Sequence, residues 1–190
     1  MEHESVLEHV RWTFLLTGVS RALTHQLVRH RVGFAFSQLS QQYHDETDAE
    51  FVEPSLLSRF PKAREAWQRA VEATKEAYQE IINSIKEPEI EGGAELPKRE
   101  LRRAMRSAAR SVLPNATETK IVVTANARAL RHFLRVLGSI PGDEEMRRVS
   151  AELLKHLTIE APSLFCDFRI ETLSDGSPIV VHQASTSQKE

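Results

Sequence analysis

The spacing of apolar residues changes within the first 30 residues, and this change limits the fold more than any other feature. Apolar side chains occupy every even position from Val10 to Leu16, which predicts a half-buried strand that ends at Gly18. Ser20 can then cap a helix that continues to about Arg29. The sequence therefore predicts a strand that leads directly into a helix.

A cationic tripeptide lies at the end of this predicted helix. Arg29, His30 and Arg31 place two guanidinium groups and an imidazole on adjacent residues, with Gln26 on the same predicted helical face as the first two. A segment rich in Ser, Gln and Phe continues to Tyr43. Guanidinium groups suit phosphate oxygens, and Ser and Gln side chains can read polar ring edges. The alternative is a helix end, which favours cations beside its outward-pointing carbonyl groups; the flanking residues favour an anion-binding role.

Composition restricts the class of protein. A length of 190 residues suits one sizeable domain, and a net charge of −2 argues against general nucleic-acid binding. The single Cys166 excludes an internal disulfide framework, so we expect a reduced, cytoplasmic setting. No apolar run reaches membrane-spanning length, and we expect no membrane partner. His3 and His9 lie six residues apart, which is not the spacing of two metal ligands on one helical face, so no metal site is predicted.

Later segments alternate between helix and strand patterns. A scaffold helix is predicted from Pro61, and another runs from Pro97 to a break at Pro114. The second helix carries cations along one stripe, at Arg99, Arg103, Arg106 and Arg110. A solvated charged face explains most of that stripe, although Arg110 lies beside the break and can reach a pocket.

The next segments predict a second strand and helix. The β-branched run Thr119–Ala125 predicts a buried strand. Asn126 can cap the following helix, in which Arg128 and His132 lie one turn apart on a common face. A capping Asn and a surface pair remain the alternative. A last long helix is predicted from Asp143, and residues 165–170 alternate like an extended segment.

Five motifs in this order resemble the flavin-dependent thymidylate synthases over nearly the whole chain. They are His3-x4-Glu8-His9, Gln26-x2-Arg29-His30-Arg31, Phe36-Ser37-Gln38-Leu39-Ser40-Gln41, Arg110-x2-Leu113-Pro114-Asn115-Ala116-Thr117-Glu118-Thr119-Lys120, and Asn126-Ala127-Arg128 with His132-Phe133. The resemblance implies an α/β (α+β) fold with a twisted, mostly antiparallel sheet flanked by helices. It also implies one domain over residues 1–190, without the family's usual N-terminal strands, in a homotetramer whose flavin sites lie between subunits.

The resemblance further implies a reaction and its ligands. Family members convert dUMP to dTMP, take the methylene group from methylenetetrahydrofolate and carry a hydride from NADPH through FAD. The implied FAD contacts are His3, Ser5, Arg29, His30, Arg31, Gln38, Asn126, Arg128 and His132. The implied dUMP contacts are Gln26, Arg29, Gln38, Leu39, Ser40, Gln41, Gln42 and Arg110. Arg29 and Ser40 are the implied catalytic positions, and Ser40 is assigned to substrate positioning because no paired base is evident beside it.

The chain departs from the family pattern at several positions. Eight residues, not the usual seven, separate Arg31 from Ser40, and Gly33 can absorb the extra one. Gln42 replaces an Arg, Leu137 replaces an Arg that helps activate the pyrimidine, and Pro141 replaces a His. Arg135 lies about 200° around the helix from Leu137 and would point elsewhere.

These departures leave three hypotheses. The first is an active thymidylate synthase. The second is a catalytically impaired relative that still binds FAD and dUMP. The third, from another class, is a nucleic-acid-binding protein that uses the arginine stripe, whose binding would weaken steeply with salt.

Overall fold

A computed structural model describes residues 4–85 and 98–183, so His3 and Pro97 lie outside the described residues. The chain divides into two compact units. Unit 1 contains Met1–Leu15, His25–Phe36 and Val122–Glu190, and unit 2 contains Leu16–Thr24 and Ser37–Ile121.

Three strands form the larger sheet. They are β1 (Arg11–Ser20), β2 (Phe34–Gln38) and β3 (Glu118–Asn126), in the order β1-β3-β2. The central strand β3 alternates between buried and more exposed positions. The predicted strand is therefore confirmed, and its buried residues lie at alternate positions, on one face.

The first strand extends beyond its predicted end. Gly18 adopts φ = +67°, which glycine tolerates at little cost, and the strand continues to Ser20. The backbone N–H of Gly18 donates to Glu118 Oε1 at 2.8 Å.

Helix α1 (Arg21–Leu27) begins as predicted and ends early. The Leu23 backbone N–H donates to Ser20 Oγ at 3.0 Å, which confirms the predicted cap. Arg29 and His30 lie beyond the helix, in a turn whose backbone N–H groups donate to carbonyls three residues earlier. The prediction that Arg29 and His30 share a helical face with Gln26 was therefore wrong.

Unit 2 contains two further helices, α2 (Pro61–Ser84) and α3 (Lys98–Ala109), which pack on each other. Pro61 occupies the first turn of α2, as predicted. A 3-10 turn at Arg110–Val112 follows α3, so Arg110 leaves the helical stripe of arginines.

Unit 1 contains α4 (Ala127–Leu137), α5 (Glu144–Glu160), the short α6 (Pro162–Phe165) and a hairpin of β4 (Phe168–Thr172) and β5 (Pro178–His182). The predicted N-cap of α4 is confirmed, because the Asn126 side chain accepts from the Ala129 N–H. Asp143, predicted only as the start of the last long helix, caps α5 by accepting from the Met146 N–H. The strands of the hairpin pair antiparallel, from Phe168 opposite His182 to Thr172 opposite Pro178. The extended prediction for residues 165–170 holds only from Phe168, and β5 was not predicted.

The mixed α/β class with antiparallel pairing is confirmed. Within the described ranges, no helix combines the length and the apolar character needed to cross a membrane.

Candidate functional site

A cavity of about 620 Å³ in unit 1 brings together most of the residues predicted to bind a cofactor. Its wall includes Arg29, His30, Arg31, Asn126, Arg128 and His132. Three come from the turn after α1, and three come from the first turns of α4. The helical spacing of Arg128 and His132 places them on one face, as the sequence predicts.

Gly33 lets the turn approach α4 closely. Its φ is +76°, and a Cβ placed there would lie 2.8 Å from Ala129 Cβ and 2.9 Å from Asn126 Nδ2. The Asn126 backbone N–H also donates to the Gly33 carbonyl at 3.1 Å. Only glycine fits this position without displacing the α4 cap, and it lies where the extra residue of this chain was expected.

Aromatic rings and an imidazole form the apolar part of the cavity region. Phe34 lines the cavity, stacks on Phe36 at 5.6 Å between ring centroids and contacts Phe133. The His30 ring packs edge-on against Phe133 at 6.1 Å. Burial lowers the pKa of His30, and the neighbouring His132 lowers it further. His30 is therefore mainly neutral at pH 7, and it offers one donor and one acceptor in place of a fixed charge.

Two carboxylates hold Arg128 in the cavity wall. Arg128 donates to Glu8 Oε1 at 2.6 Å, and its Nε lies 3.3 Å from Glu4 Oε2. Both glutamates belong to the 3-10 helix Glu4–Glu8 and also line the cavity. The first sequence motif thus reaches the site through Glu8.

Several residues of the cavity wall were not predicted. Arg131 donates to both carboxylate oxygens of Asp167, at 2.7 Å for Oδ1, and its guanidinium lies 5.0 Å from the Phe168 ring centre. His182 Nε2 lies 3.0 Å from Asp167 Oδ2. The Arg131 guanidinium beside Asp167 holds the pKa of that carboxyl below its ordinary value. Arg131, Phe168 and His182 all line the cavity.

Arg135 also lines the cavity, one turn beyond Arg131 and His132. Leu137, in contrast, is 4% exposed and belongs to the core. The two side chains do point in different directions, as predicted. The helical spacing of Arg128, Arg131, His132 and Arg135 could have predicted that these residues share one face of α4. Using that signal required knowing that Arg128 borders a cavity.

Unit 2 contains the segment predicted to bind the nucleotide. Gln38 Nε2 donates to Thr24 Oγ1 at 3.0 Å and lies 3.4 Å from Thr119 Oγ1. Ser40 Oγ accepts from the Gln42 backbone N–H at 3.4 Å, and no basic side chain in the described ranges hydrogen-bonds to Ser40. The Gln42 amide oxygen accepts from Arg103 Nε at 3.1 Å.

Arg21 and Gln41 are buried donors in this segment with unmet hydrogen-bonding capacity. Among the described residues, Arg21 Nε and Gln41 Nε2 have no hydrogen-bond partner. Arg21 Nη2 donates to the Leu39 carbonyl at 3.2 Å and lies 3.9 Å from Glu46 Oε1. Burial lowers the pKa of Arg21, Glu46 opposes this change, and the nearby charge of Arg110 lowers the pKa further.

Glu46 is the carboxylate opposite Arg21. Burial raises the pKa of Glu46, and the charge of Arg21 opposes this change. No local pattern singles out Arg21 or Glu46, because their relation depends on the fold.

Some predicted residues lie away from the cavity. Ser5 is exposed on the 3-10 helix, and Gln26 is half-buried at the end of α1; neither lines the cavity of unit 1. Gln38, Leu39, Ser40, Gln41, Gln42 and Arg110 belong to unit 2. In the described part of the chain, no three His, Cys, Asp or Glu side chains converge as metal ligands would.

The chain is similar to proteins of known family over most of its length. Residues 1–163 match the family described as "Thymidylate synthase complementing protein". A "Flavin-dependent thymidylate synthase" of Mycolicibacterium gilvum is 43% identical over 184 residues, which cover 97% of this chain and 72% of the relative. The protein of the same name from Corynebacterium glutamicum is 44% identical over 176 residues, or 92% and 68% of the two chains.

A third relative with this name, from Mycobacterium avium, is 43% identical over 185 residues, covering 97% of this chain and 72% of its own length. Matches of this extent cannot arise from one short motif, and they include the cationic tripeptide, the Ser/Gln segment and the start of α4. The chain belongs to the thymidylate synthase complementing protein family, that of the flavin-dependent thymidylate synthases.

Proposed function

We propose that this protein methylates dUMP to dTMP, with methylenetetrahydrofolate as carbon donor, FAD as hydride carrier and NADPH as reductant. The observation that carries the proposal is the cavity of unit 1, where six predicted cofactor residues meet. Family membership supports the same reaction.

The residues of the cavity fit a flavin dinucleotide. A volume of about 620 Å³ is in the usual range for ligand pockets, which is roughly 300–1,000 Å³. Arg29, Arg31 and Arg128 supply charged donors for a pyrophosphate, and Phe34 supplies an apolar wall. Further FAD contacts inside the cavity would come from His30, Asn126 and His132. Outside it, the proposed contacts are His3, Ser5 and Gln38. When bound, FAD supplies the hydride chemistry, and the protein supplies position and charge.

The nucleotide is proposed to bind in unit 2, against the segment Leu39–Gln42. A buried donor without a partner costs about 1–3 kcal/mol, so the free Nε donor of Arg21 favours a ligand that brings acceptors. The charges of Arg21 and Arg110 disfavour each other, and a phosphate dianion would remove that penalty. Gln26, Gln38 and Arg29 remain proposed contacts of the same nucleotide.

The role proposed for Arg29 and its neighbours is electrostatic. Positive charge beside a uracil oxygen stabilises the negative charge that develops when C5 becomes nucleophilic. Ser40 has no base bonded to its hydroxyl in the described residues, so it positions the substrate and is not assigned as a nucleophile.

The direct test is the absorbance spectrum of the purified protein, followed by an assay of dTMP formation. We expect a yellow protein that forms dTMP only with dUMP, methylenetetrahydrofolate and NADPH together. A colourless protein that FAD cannot load, and that forms no dTMP, would overturn the proposal.

A family member with slow turnover is the second candidate, and one observation favours it. The position where the family resemblance implies an activating Arg holds Leu137, which is packed in the core. Full binding of FAD and dUMP with negligible dTMP formation would select this candidate. A Leu137→Arg variant is a poor rescue because it would bury an unpaired charge.

The homotetramer is also a proposal. Light scattering coupled to size-exclusion chromatography measures the mass directly. We expect four times the 21.6 kDa of one chain, and a monomer that binds FAD normally would exclude an intersubunit flavin site.

A further inference from the structure

A second cavity, of about 420 Å³, lies in unit 2 along α3, and five of the side chains that line it are cationic. These are Lys98, Arg99, Arg102, Arg103 and Arg106. Gln42 and Tyr43 also line it. We call this feature the α3 groove; none of its residues belongs to the cavity of unit 1.

Two of these cations are held in place by neutral groups. Arg103 Nε donates to the Gln42 amide oxygen, and its guanidinium lies 5.6 Å from the Tyr43 ring centre. Arg106 donates to the Tyr43 carbonyl at 2.8 Å. Neutral acceptors orient a guanidinium without neutralising it, so the charge of Arg103 remains available to a ligand, whereas the charge of Arg106 also interacts with the Asp45 carboxylate, whose pKa it helps to lower.

The other three cations have no partner in the part of the chain that the structure describes. Neither a hydrogen bond nor an ion pair is formed there by Lys98, Arg99 or Arg102. Glu100 is the one carboxylate of α3, and it does not line the groove. Like charges three and four residues apart on a helix destabilise it. Such a cluster is therefore better explained by an anionic ligand than by helix stability.

The spacing of the charges limits the ligand. A helix rises 1.5 Å per residue, so the cations from Lys98 to Arg106 extend over about 12 Å. One phosphate group cannot contact both ends of such a row. A chain of two or more anionic groups can, and it would pass beside Gln42 and Tyr43, which are bound to Arg103 and Arg106.

We propose that the α3 groove binds an extended oligo-anion, either a polycarboxylate or a polyphosphate, carried by a co-substrate. The assignment to a co-substrate rests on the proposed function. That function offers two sources of this chemistry: the glutamyl tail of the folate and the phosphate groups of NADPH. The anion-binding property itself depends only on the groove.

The first experiment measures binding to the whole protein by calorimetry. The probes are inorganic tripolyphosphate and a γ-linked triglutamate peptide, with inorganic phosphate for comparison. We expect at least one of the two oligo-anions to bind about tenfold more tightly than phosphate. In an Arg99→Gln/Arg102→Gln variant, we expect the affinity for that oligo-anion to fall by about tenfold.

An Arg69→Gln/Arg148→Gln variant is the matched control, because it removes the same net charge from exposed arginines outside the groove. Its affinity should stay within about twofold of the wild type. Equal weakening in both variants would show a general charge effect and overturn the proposal. Failure of both oligo-anions to bind would also overturn it.

The second experiment identifies the source. A rise in KM for methylenetetrahydrofolate triglutamate, but not for the monoglutamate, assigns the groove to the folate tail. A rise in KM for NADPH alone assigns it to the nucleotide phosphates. If dTMP formation is unchanged in the variant, the co-substrate assignment is wrong.

The two experiments test the anion-binding proposal and the proposed function independently. If the protein makes no dTMP, the calorimetry still tests anion binding and the proposed function alone is lost. A 20-base-pair DNA duplex provides the last comparison. Binding of DNA that exceeds both probes, and that is lost in the Arg99→Gln/Arg102→Gln variant, would replace the co-substrate with nucleic acid.

Discussion

Two largely buried arginines, one in each unit, show opposite ways of placing a guanidinium inside a protein. Arg147 in unit 1 is 5% exposed and donates to the Pro178 carbonyl, the Ile140 carbonyl and Ser177 Oγ at 2.9–3.1 Å. Arg21 in unit 2 donates to one carbonyl, and its Nε has no partner among the described residues.

The difference indicates what each residue is for. Arg147 joins α5 to the segment after α4 and to the start of β5, so its hydrogen bonds hold the fold of unit 1. Arg21 leaves a donor unsatisfied beside another cation, Arg110, and beside a carboxylate whose pKa burial raises. Native proteins rarely keep such a group without a purpose, and an incoming anion supplies one.

The largest expected effect is on folding, in Arg147→Met. Losing three hydrogen bonds, and leaving two carbonyls without them, should lower the free energy of unfolding by about 3–4 kcal/mol. Urea denaturation followed by circular dichroism measures this change. Arg148→Met is the control, since that arginine is exposed and pairs with Glu144 four residues earlier; we expect a change within about 0.5 kcal/mol. Similar losses in both variants would contradict the structural role of Arg147.

The same substitution at Arg21 should act on binding instead. Arg21→Met removes a desolvated charge, and without that charge burial raises the pKa of Glu46 further. Below the folded pKa of Glu46, where this carboxyl is neutral, we therefore expect a change in unfolding free energy of no more than about 1 kcal/mol. The affinity for dUMP should fall by about 10- to 100-fold, the effect of losing a charge-assisted hydrogen bond. Calorimetric titration with dUMP distinguishes the two arginines. Unchanged dUMP affinity would mean that the unpaired donor of Arg21 serves no nucleotide.

The third prediction tests how the cavity wall of unit 1 is held. Gly33→Ala should lower the free energy of unfolding by about 2 kcal/mol and weaken FAD binding, because the backbone is left-handed and the methyl group meets α4. Gly142→Ala has the same φ of +76° and nothing within 4 Å, so it isolates the backbone cost of about 1 kcal/mol. FAD affinity, followed by flavin fluorescence, should change only in Gly33→Ala. Equal effects of the two variants would show that the close approach to Asn126 and Ala129 is unimportant.

The smallest effect is the dependence of stability on pH, and the two units should differ in sign. The pKa of Asp167 is lowered in the folded protein, so its contribution is present above its unfolded pKa, about 3.9, and is lost as pH falls through the folded pKa. The pKa of Glu46 is raised, so its contribution is present below its unfolded pKa, about 4.3, and is lost as pH rises through the folded pKa.

Urea titrations across the acid range can separate these two terms. Asp167→Asn should reduce the loss of stability on acidification, and Glu46→Gln should remove the loss on raising the pH above 4. Identical pH profiles in the two variants would refute the opposite environments of these carboxylates.

Much of the local structure could be predicted from the sequence. Ser20 and Asn126 cap helices as predicted, because the interaction involves a backbone N–H three residues away. Helix ends were less predictable. The end of α1 at Leu27, before the cationic tripeptide, depends on the turn that carries Gly33 against α4.

The candidate site was also predictable in part, where its residues belong to local motifs. Arg29, His30, Arg31, Arg128 and His132 were recognised as a family motif, and the structure brings them to one cavity. Arg131 shares the helical spacing of Arg128 and His132, whereas Asp167 and His182 carry no local signal, because Asp167 precedes the hairpin and His182 belongs to β5, which was not predicted.

The family, the helix starts and the charged residues that are available to bind anions could all be recognised from the amino-acid sequence. These properties depend on neighbours within a few residues, so they can be read along the chain. Which of the charges are satisfied could be seen only in the folded protein. Arg147 and Arg21 look alike in sequence, and the acceptors that distinguish them come from segments up to 31 residues away for Arg147 and 25 for Arg21, brought near by folding.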